Sequence, residues 1–364
     1  MTAVAGVQTL EQDLAGVRQR TLDLVAHLED AEFERQVHPV LSPLAWDLAH
    51  IAAYEDLWLV HRHAGRPLLR PDLAATYDAF ETPRAVRGEV ELLDAEGARE
   101  YLAAVRERTL EALEDVGPDP VLHEMVLRHE LQHTETMLQA MRLAGLLAPG
   151  TGTLAAVEGP DAWIEVAAGT HLLGAPDDGR FAYDNERPAR EIRLEAFRIA
   201  RRPVTNASWL RFTEGGGYVR REWWSDETWA WKEQYDISCP AGVADGEPDA
   251  PVCHVSAFEA DAFARWAGAR LPIEAEWECA QPLLAGVGLV WEWTSSAFRP
   301  YPGFRPFPYP EYSQVFFGDR HRVLRGGSWV AHPRVATRTF RNWDLPERRQ
   351  IFAGLRLAHD AEEC

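Results

Sequence analysis

The chain has 364 residues, 46% of them hydrophobic and 26% charged, with a formal net charge of −20. That length allows two ordinary domains, and the negative field opposes phosphate backbones and anionic lipid, so neither nucleic acid nor a membrane surface is an expected partner. There is no long apolar run of membrane-span length, and the N-terminal MTAVAGVQTLEQDLAG lacks a basic start and an apolar block, so a cytoplasmic location is expected.

Residues 1–147 read as a helical domain. Leu10, Leu14, Val17, Leu24 and Leu28 recur at helical spacing through 8–30. Ser42-Pro43 reads as a cap followed by proline at the first helical position, opening a second helix to about Arg62. Asp94 can cap a third helix over 95–116. Asp119-Pro120 repeats the signal and opens a fourth that runs to Ala144, with Gly145 as its stop. Four long helices predict an antiparallel bundle.

Residues 148–160, rich in glycine, proline and small side chains, read as a linker. From 161 to 364, short β-type runs such as Trp163–Val166 and Ile192–Leu194 alternate with glycine turns and tryptophans. One clear helix is predicted at 256–268, where Phe258, Ala262, Phe263 and Trp266 share a stripe. This is an α+β texture. The four cysteines (Cys239, Cys253, Cys279, Cys364) form no C-x-x-C pair and read as ordinary reduced thiols.

On the fourth helix Leu122, Met125, His129, His133 and Met137 fall three or four apart, which puts two imidazoles on the apolar stripe one turn apart. A lone histidine there is ordinarily a satisfied core residue. An inward pair is costly to bury unpartnered and can instead grip one metal ion. Trp46, His50, Tyr54 and Leu57 make a similar stripe on the second helix, and His50 would complete a three-histidine set with open positions opposite. His129-Glu130-Leu131-Gln132-His133 also matches H-E-x-x-H, the zinc-peptidase signature with glutamate as general base, although no third downstream ligand follows.

The runs SPLAWDLAHIAAYEDLWL, YDAFETPRAVRGE and RHELQHTETMLQAMRL closely resemble the N-terminal, DinB-like bundle of ergothioneine-type sulfoxide synthases, also called hercynine oxygenases. PVTNASWLRF, FARWAGARLPIEAEWECA, VWEWTSS and VLRGGSW resemble the formylglycine-generating-enzyme-like fold, which is itself lectin-like. PYPGFRPFPYPEYSQVFFG and TFRNWDLPERRQIFAGLRLA resemble the sulfoxide synthases in particular. The fold class expected is therefore α+β multidomain: a four-helix bundle, then a formylglycine-generating-enzyme-like domain, with the active site in the cleft between them.

The resemblance implies iron(II) held by His50, His129 and His133. It implies Nα-trimethylhistidine (hercynine), a thiol such as γ-glutamylcysteine or cysteine, and dioxygen as substrates, joined through a C–S bond with oxidation to a sulfoxide. Carried over residue by residue, Gln132 would sit beside the bound imidazole, and Asn342 and Trp343 would hold the trimethylammonio acid. Arg84 and Arg87 would grip the γ-glutamylcysteine carboxylates, with Asp344 and Arg348 as further contacts. Tyr309 is the expected proton donor, with Tyr301 and Tyr312 as alternatives.

Two departures stand out. Glu278–Gly288 replaces a longer segment before Val290, so a structural calcium is not expected there. RGGSW is followed by Val330-Ala331-His332-Pro333-Arg334, without the cysteine pair that formylglycine formation needs. The other readings are a zinc metallopeptidase, a synthase using another thiol or a selenium donor, and a non-catalytic lectin-like module.

Overall fold

The cap signals of the first half are used almost as written. In the computed structural model, which describes residues 2–148, 150–241 and 246–361, helix α1 spans Thr2–Val25, the short α2 Asp30–Glu34 and α3 Leu44–Glu55. Helix α4 is Ala95–Val116 and α5 is Pro120–Ala144. Asp94 accepts from the Gly97 amide at 2.8 Å, and Asp119 accepts from Val121 and Leu122. Gly145 closes α5 at φ 73°, a left-handed conformation that glycine adopts without steric cost.

The start of α3 differs from the reading above. Pro43 occupies the cap position, and the Ser42 hydroxyl takes a hydrogen bond from the Arg87 guanidinium at 2.7 Å instead of capping the helix. A hydroxyl committed to a buried guanidinium is not available to the first-turn amides. The α-helix also ends at Glu55. The chain continues to His63 as a π-helical stretch, with the Ala64 amide bonding the Leu59 carbonyl.

Eleven of the twelve α3 residues are buried, so this helix is the centre of the bundle rather than a surface strut. Its Trp46 shares one buried cluster with Phe33, Val105, Met137 and Met141 from outside the helix. A second, ionic core lies alongside. Arg18 of α1 holds Glu55 and Glu130, each at 2.8 Å, and Arg106 of α4 holds Glu55 at 2.7 Å and Glu130 at 3.4 Å. Burial pushes the Glu55 carboxyl up, but Arg106 and Arg18 override it and hold it at about 2.

The chain divides into two compact units, Met1–Pro149 and Gly150–Cys364. In the second, strands β1 (Trp163–Val166), β2 (Gly169–Leu173), β3 (Arg190–Leu194) and β4 (Phe197–Ala200) precede helices α6 (Asn206–Glu214), α7 (Asp226–Gln234), α8 (Ala257–Trp266) and α9 (Glu274–Ala280). Strands β5 (Trp291–Ala297), β6 (Arg322–Arg325), β7 (Asn342–Asp344), β8 (Ala353–Leu355) and β9 (Ala358–Asp360) follow. They form three small sheets, ordered β1-β4-β9, β2-β3 and β7-β6-β5-β8. Phe263 of α8 stacks on Trp209 of α6 with ring centroids 4.9 Å apart, which is where part of the tryptophan content goes. Three buried pairs, Arg325 with Glu278, Arg341 with Glu274 and Arg356 with Glu292, tie α9 and β5 to the C-terminal segments.

Residues 278–288 leave α9 through a 3-10 turn at Gln281–Leu283. They reach β5 by a sharp turn through Gly286 and Gly288, at φ 73° and 90°. A side chain at Gly286 would strike Val157 at 2.9 Å, so this short connection depends on glycine. Among the described residues Cys239, Cys253 and Cys279 are free thiols. Cys364 lies outside the described residues, as does Pro149 of the expected linker.

Candidate metal centre

Three inward side chains of the bundle converge. His50 comes from α3, and His129 and His133 come from successive turns of α5. One ligand atom from each lies within 4.8 Å of the other two. The Nε2 atoms of His50 and His129 are 3.1 Å apart. Burial lowers the pKa of both His50 and His129 well below the ordinary histidine value, and the neighbouring His133 lowers them further. Both rings are therefore neutral at physiological pH, the form that offers a lone pair to a metal.

The far sides of two rings are fixed. His50 Nδ1 lies 2.6 Å from the Tyr77 carbonyl, and His133 Nδ1 lies 3.0 Å from the Asp47 carboxylate. Both partners are acceptors, so each Nδ1 carries the proton it donates, and Nε2 is the nitrogen left to face the cluster. His129 is held by ring contact instead, stacked on Tyr54 with centroids 3.6 Å apart and planes within 8°. Three imidazoles whose ligand atoms gather within 4.8 Å of one another fit a first-row divalent metal.

Glu130, the glutamate of the H-E-x-x-H match, does not face this cluster. It is 1% exposed and spends its carboxylate on Arg18, Arg106 and the Thr21 hydroxyl at 2.7 Å. A general base must reach a water at the metal, and a carboxylate closed by two guanidiniums cannot. The peptidase reading fails at this residue.

The other expected site residues of the first unit separate into two kinds. Gln132 is half-buried on α5 beside His133. Arg84 is exposed at the start of a 3-10 turn, Arg84–Val86. Arg87 is 3% exposed, lies over the Trp46 ring at 3.3 Å and bonds the Thr82 carbonyl as well as Ser42. Burial pulls its pKa down, partly offset by Asp47.

In the second unit Asn342, Trp343 and Asp344 are consecutive on β7. Trp343 stacks on Phe298 at 4.3 Å and meets Tyr312 edge-on at 5.8 Å. Arg348 lies 3.6 Å from Asp344. Tyr309 packs edge-on against Tyr312, which in turn stacks on the buried Tyr183. Asn185, Ser313 and Asp184 pin the end of this loop through buried hydrogen bonds. The second unit thus gathers Tyr309, Tyr312, Trp343, Asp344 and Arg348 in one neighbourhood. Tyr301 is separate: it is 3% exposed, with its ring against the Arg341 guanidinium at 4.2 Å and its hydroxyl buried without a partner.

Asp47 and the Arg18–Glu130 pair were not singled out from sequence. Asp47 stands three residues before His50, on the same helical face, and that spacing is the signal that could have found it.

This arrangement defines a class: a DinB-type bundle carrying a three-histidine candidate metal site, joined to an α+β domain of the sulfatase-modifying type. Family models agree, with the DinB superfamily matching residues 13–144 and the sulfatase-modifying factor enzyme 1-like domain matching 153–286 and 283–361. The hercynine oxygenase of Mycolicibacterium thermoresistibile is 42% identical over 443 aligned positions, covering 100% of this chain and 97% of that protein. That of Mycobacterium tuberculosis is also 42% identical, covering 95% and 97%. The formylglycine-generating enzyme of Thermomonospora curvata is 32% identical over only 32% of this chain and 47% of its own length. The chain belongs to the hercynine oxygenase family, a family of oxidoreductases. An alignment of 443 positions against 364 residues means that the relative carries stretches with no counterpart here, and the second family model breaks at 283–286, where the connection is short.

Proposed function

We propose that this protein is an iron(II)- and dioxygen-dependent sulfoxide synthase acting in the cytoplasm. It joins the sulfur of γ-glutamylcysteine, or of cysteine, to the imidazole carbon between the two nitrogens of Nα-trimethylhistidine. The observation that carries this reading is the three-histidine cluster with Nε2 atoms presented inward, in a chain of this family. Ferrous iron bound by His50, His129 and His133 would supply the redox chemistry with dioxygen and leave positions open for substrate donors.

The rest falls to side chains. Gln132, next to His133, would hydrogen-bond the substrate imidazole. Asn342 would bond the substrate carboxylate, and the Trp343 indole face suits its quaternary ammonium. Arg84 and Arg87 would take the carboxylates of the thiol. Arg87 spends its nitrogens on neutral acceptors, the Thr82 and Ala79 carbonyls and the Ser42 hydroxyl, which leaves its charge to attract an anionic ligand. Asp344 and Arg348 complement the ammonium and a remaining carboxylate. Tyr309 would give its hydroxyl proton during C–S bond formation, with Tyr312 adjacent as the alternative. The buried hydroxyl of Tyr301 suits this role least.

The direct test is product analysis. Iron-loaded protein supplied with Nα-trimethylhistidine, γ-glutamylcysteine and air should yield the S-linked sulfoxide by mass spectrometry. Recovery of unmodified trimethylhistidine under those conditions would refute the assignment.

A further inference from the structure

We propose that Asp47 is a positioning residue for the metal centre: it locks His133 in the tautomer that presents Nε2 and supplies the negative charge that a neutral three-histidine set lacks. This rests on the reading of the histidine cluster as a metal site.

The geometry is specific. Asp47 sits in the first turn of α3 with no solvent exposure, one helical turn ahead of His50. It reaches across to α5, where one carboxylate oxygen lies 3.0 Å from His133 Nδ1. The other oxygen, Oδ2, is buried with no hydrogen-bond partner. A half-satisfied buried carboxylate is costly to keep, and the first turn of α3 offsets only part of that cost through its helix dipole. The purpose of that carboxylate is found at His133. An ionised carboxylate only accepts, so the imidazole proton must be on Nδ1, and Nε2 is free to bind a metal.

Charge points the same way. A divalent ion held by three neutral imidazoles brings two positive charges into the bundle. Two other buried carboxylates of the bundle, Glu55 and Glu130, are already neutralised by Arg18 and Arg106. Asp47 is the carboxylate hydrogen-bonded to the cluster itself.

Two measurements test this, and neither depends on turnover. In metal-free wild-type protein, nitrogen NMR of the imidazoles should show His133 protonated at Nδ1; protonation at Nε2 would overturn the proposal, and this reading needs no variant to fold. In parallel, wild type and Asp47→Asn are titrated with Fe²⁺ without oxygen, and with Co²⁺, whose visible spectrum reports ligand geometry. Asparagine keeps the shape and an acceptor oxygen but removes the charge, so the helical circular dichroism should persist while metal affinity falls about 10- to 100-fold. Affinity within threefold of wild type would overturn the proposal. Product formation is read separately: a wild type that binds metal yet forms no C–S bond refutes the proposed reaction, while the tautomer and the affinity ratio still decide the role of Asp47.

Discussion

His50 and His129 present their Nε2 atoms to each other at 3.1 Å from two different helices, and both rings are kept neutral by burial. Two facing nitrogens at this distance need a shared proton or a shared metal. His133 completes the set, with its own Nδ1 tied to Asp47.

Replacing His129 or His133 with alanine should abolish oxygen uptake and reduce metal stoichiometry from one per chain to near zero, while circular dichroism stays helical. The same loss is expected for His50→Ala. Retention of full metal binding without His50 would show that α5 alone makes the site.

The metal-free protein should lose stability as pH falls below neutrality. His50 and His129 have folded pKa values below their unfolded value of about 6.5, so their contribution is complete above that pH. It is lost as pH falls, because the unfolded chain then binds more protons. Thermal midpoints between pH 8 and pH 5 should drop more steeply for wild type than for His129→Asn. Parallel slopes would contradict the neutral, buried assignment.

Tyr309→Phe keeps the ring that packs against Tyr312 and removes only the hydroxyl. Thermal stability should hold, and C–S bond formation should slow by roughly 10²-fold. An unchanged rate, with Tyr312→Phe slowed instead, would move the proton donor one turn along the loop.

γ-Glutamylcysteine should be preferred over cysteine by about 10- to 100-fold in kcat/KM, because cysteine lacks one of the two carboxylates that arginine would pair. Arg84 is exposed, so Arg84→Gln tests this contact without a packing loss. Arg87 also lies on Trp46 and holds Ser42, so Arg87→Lys, which keeps the charge but loses the planar fork, is the better probe there. Both variants should hurt the dipeptide more than cysteine. Equal rates for both thiols in wild type would point to a cysteine-using enzyme.

Helix α5 was almost fully legible in sequence, because Asp119, Pro120 and Gly145 mark its ends and the histidine spacing marks its inner face. The other half of the centre was not. Arg18 and Glu130 are 112 residues apart, and no local pattern announces that Arg18 closes off the glutamate of an apparent peptidase motif. Tyr77 contributes a carbonyl, which any residue has, so its bond to His50 left no mark in the side-chain sequence. Ser42 was misread as a cap for a similar reason: its competing partner, Arg87, arrives from 45 residues away. In the second unit the Tyr301–Tyr312 loop has no periodicity. Tyr309 and Tyr301 could be told apart only by burial.

In the proposed reaction the three-histidine site uses iron and dioxygen to make a C–S bond. An oxygen electrode tests it most directly, with the protein loaded with Fe²⁺ or with Zn²⁺ and given Nα-trimethylhistidine and γ-glutamylcysteine, separately and together. Rapid oxygen consumption matched by sulfoxide product is expected only with iron and both substrates. Oxygen uptake that does not require trimethylhistidine, or product formation by the zinc-loaded protein, would contradict it.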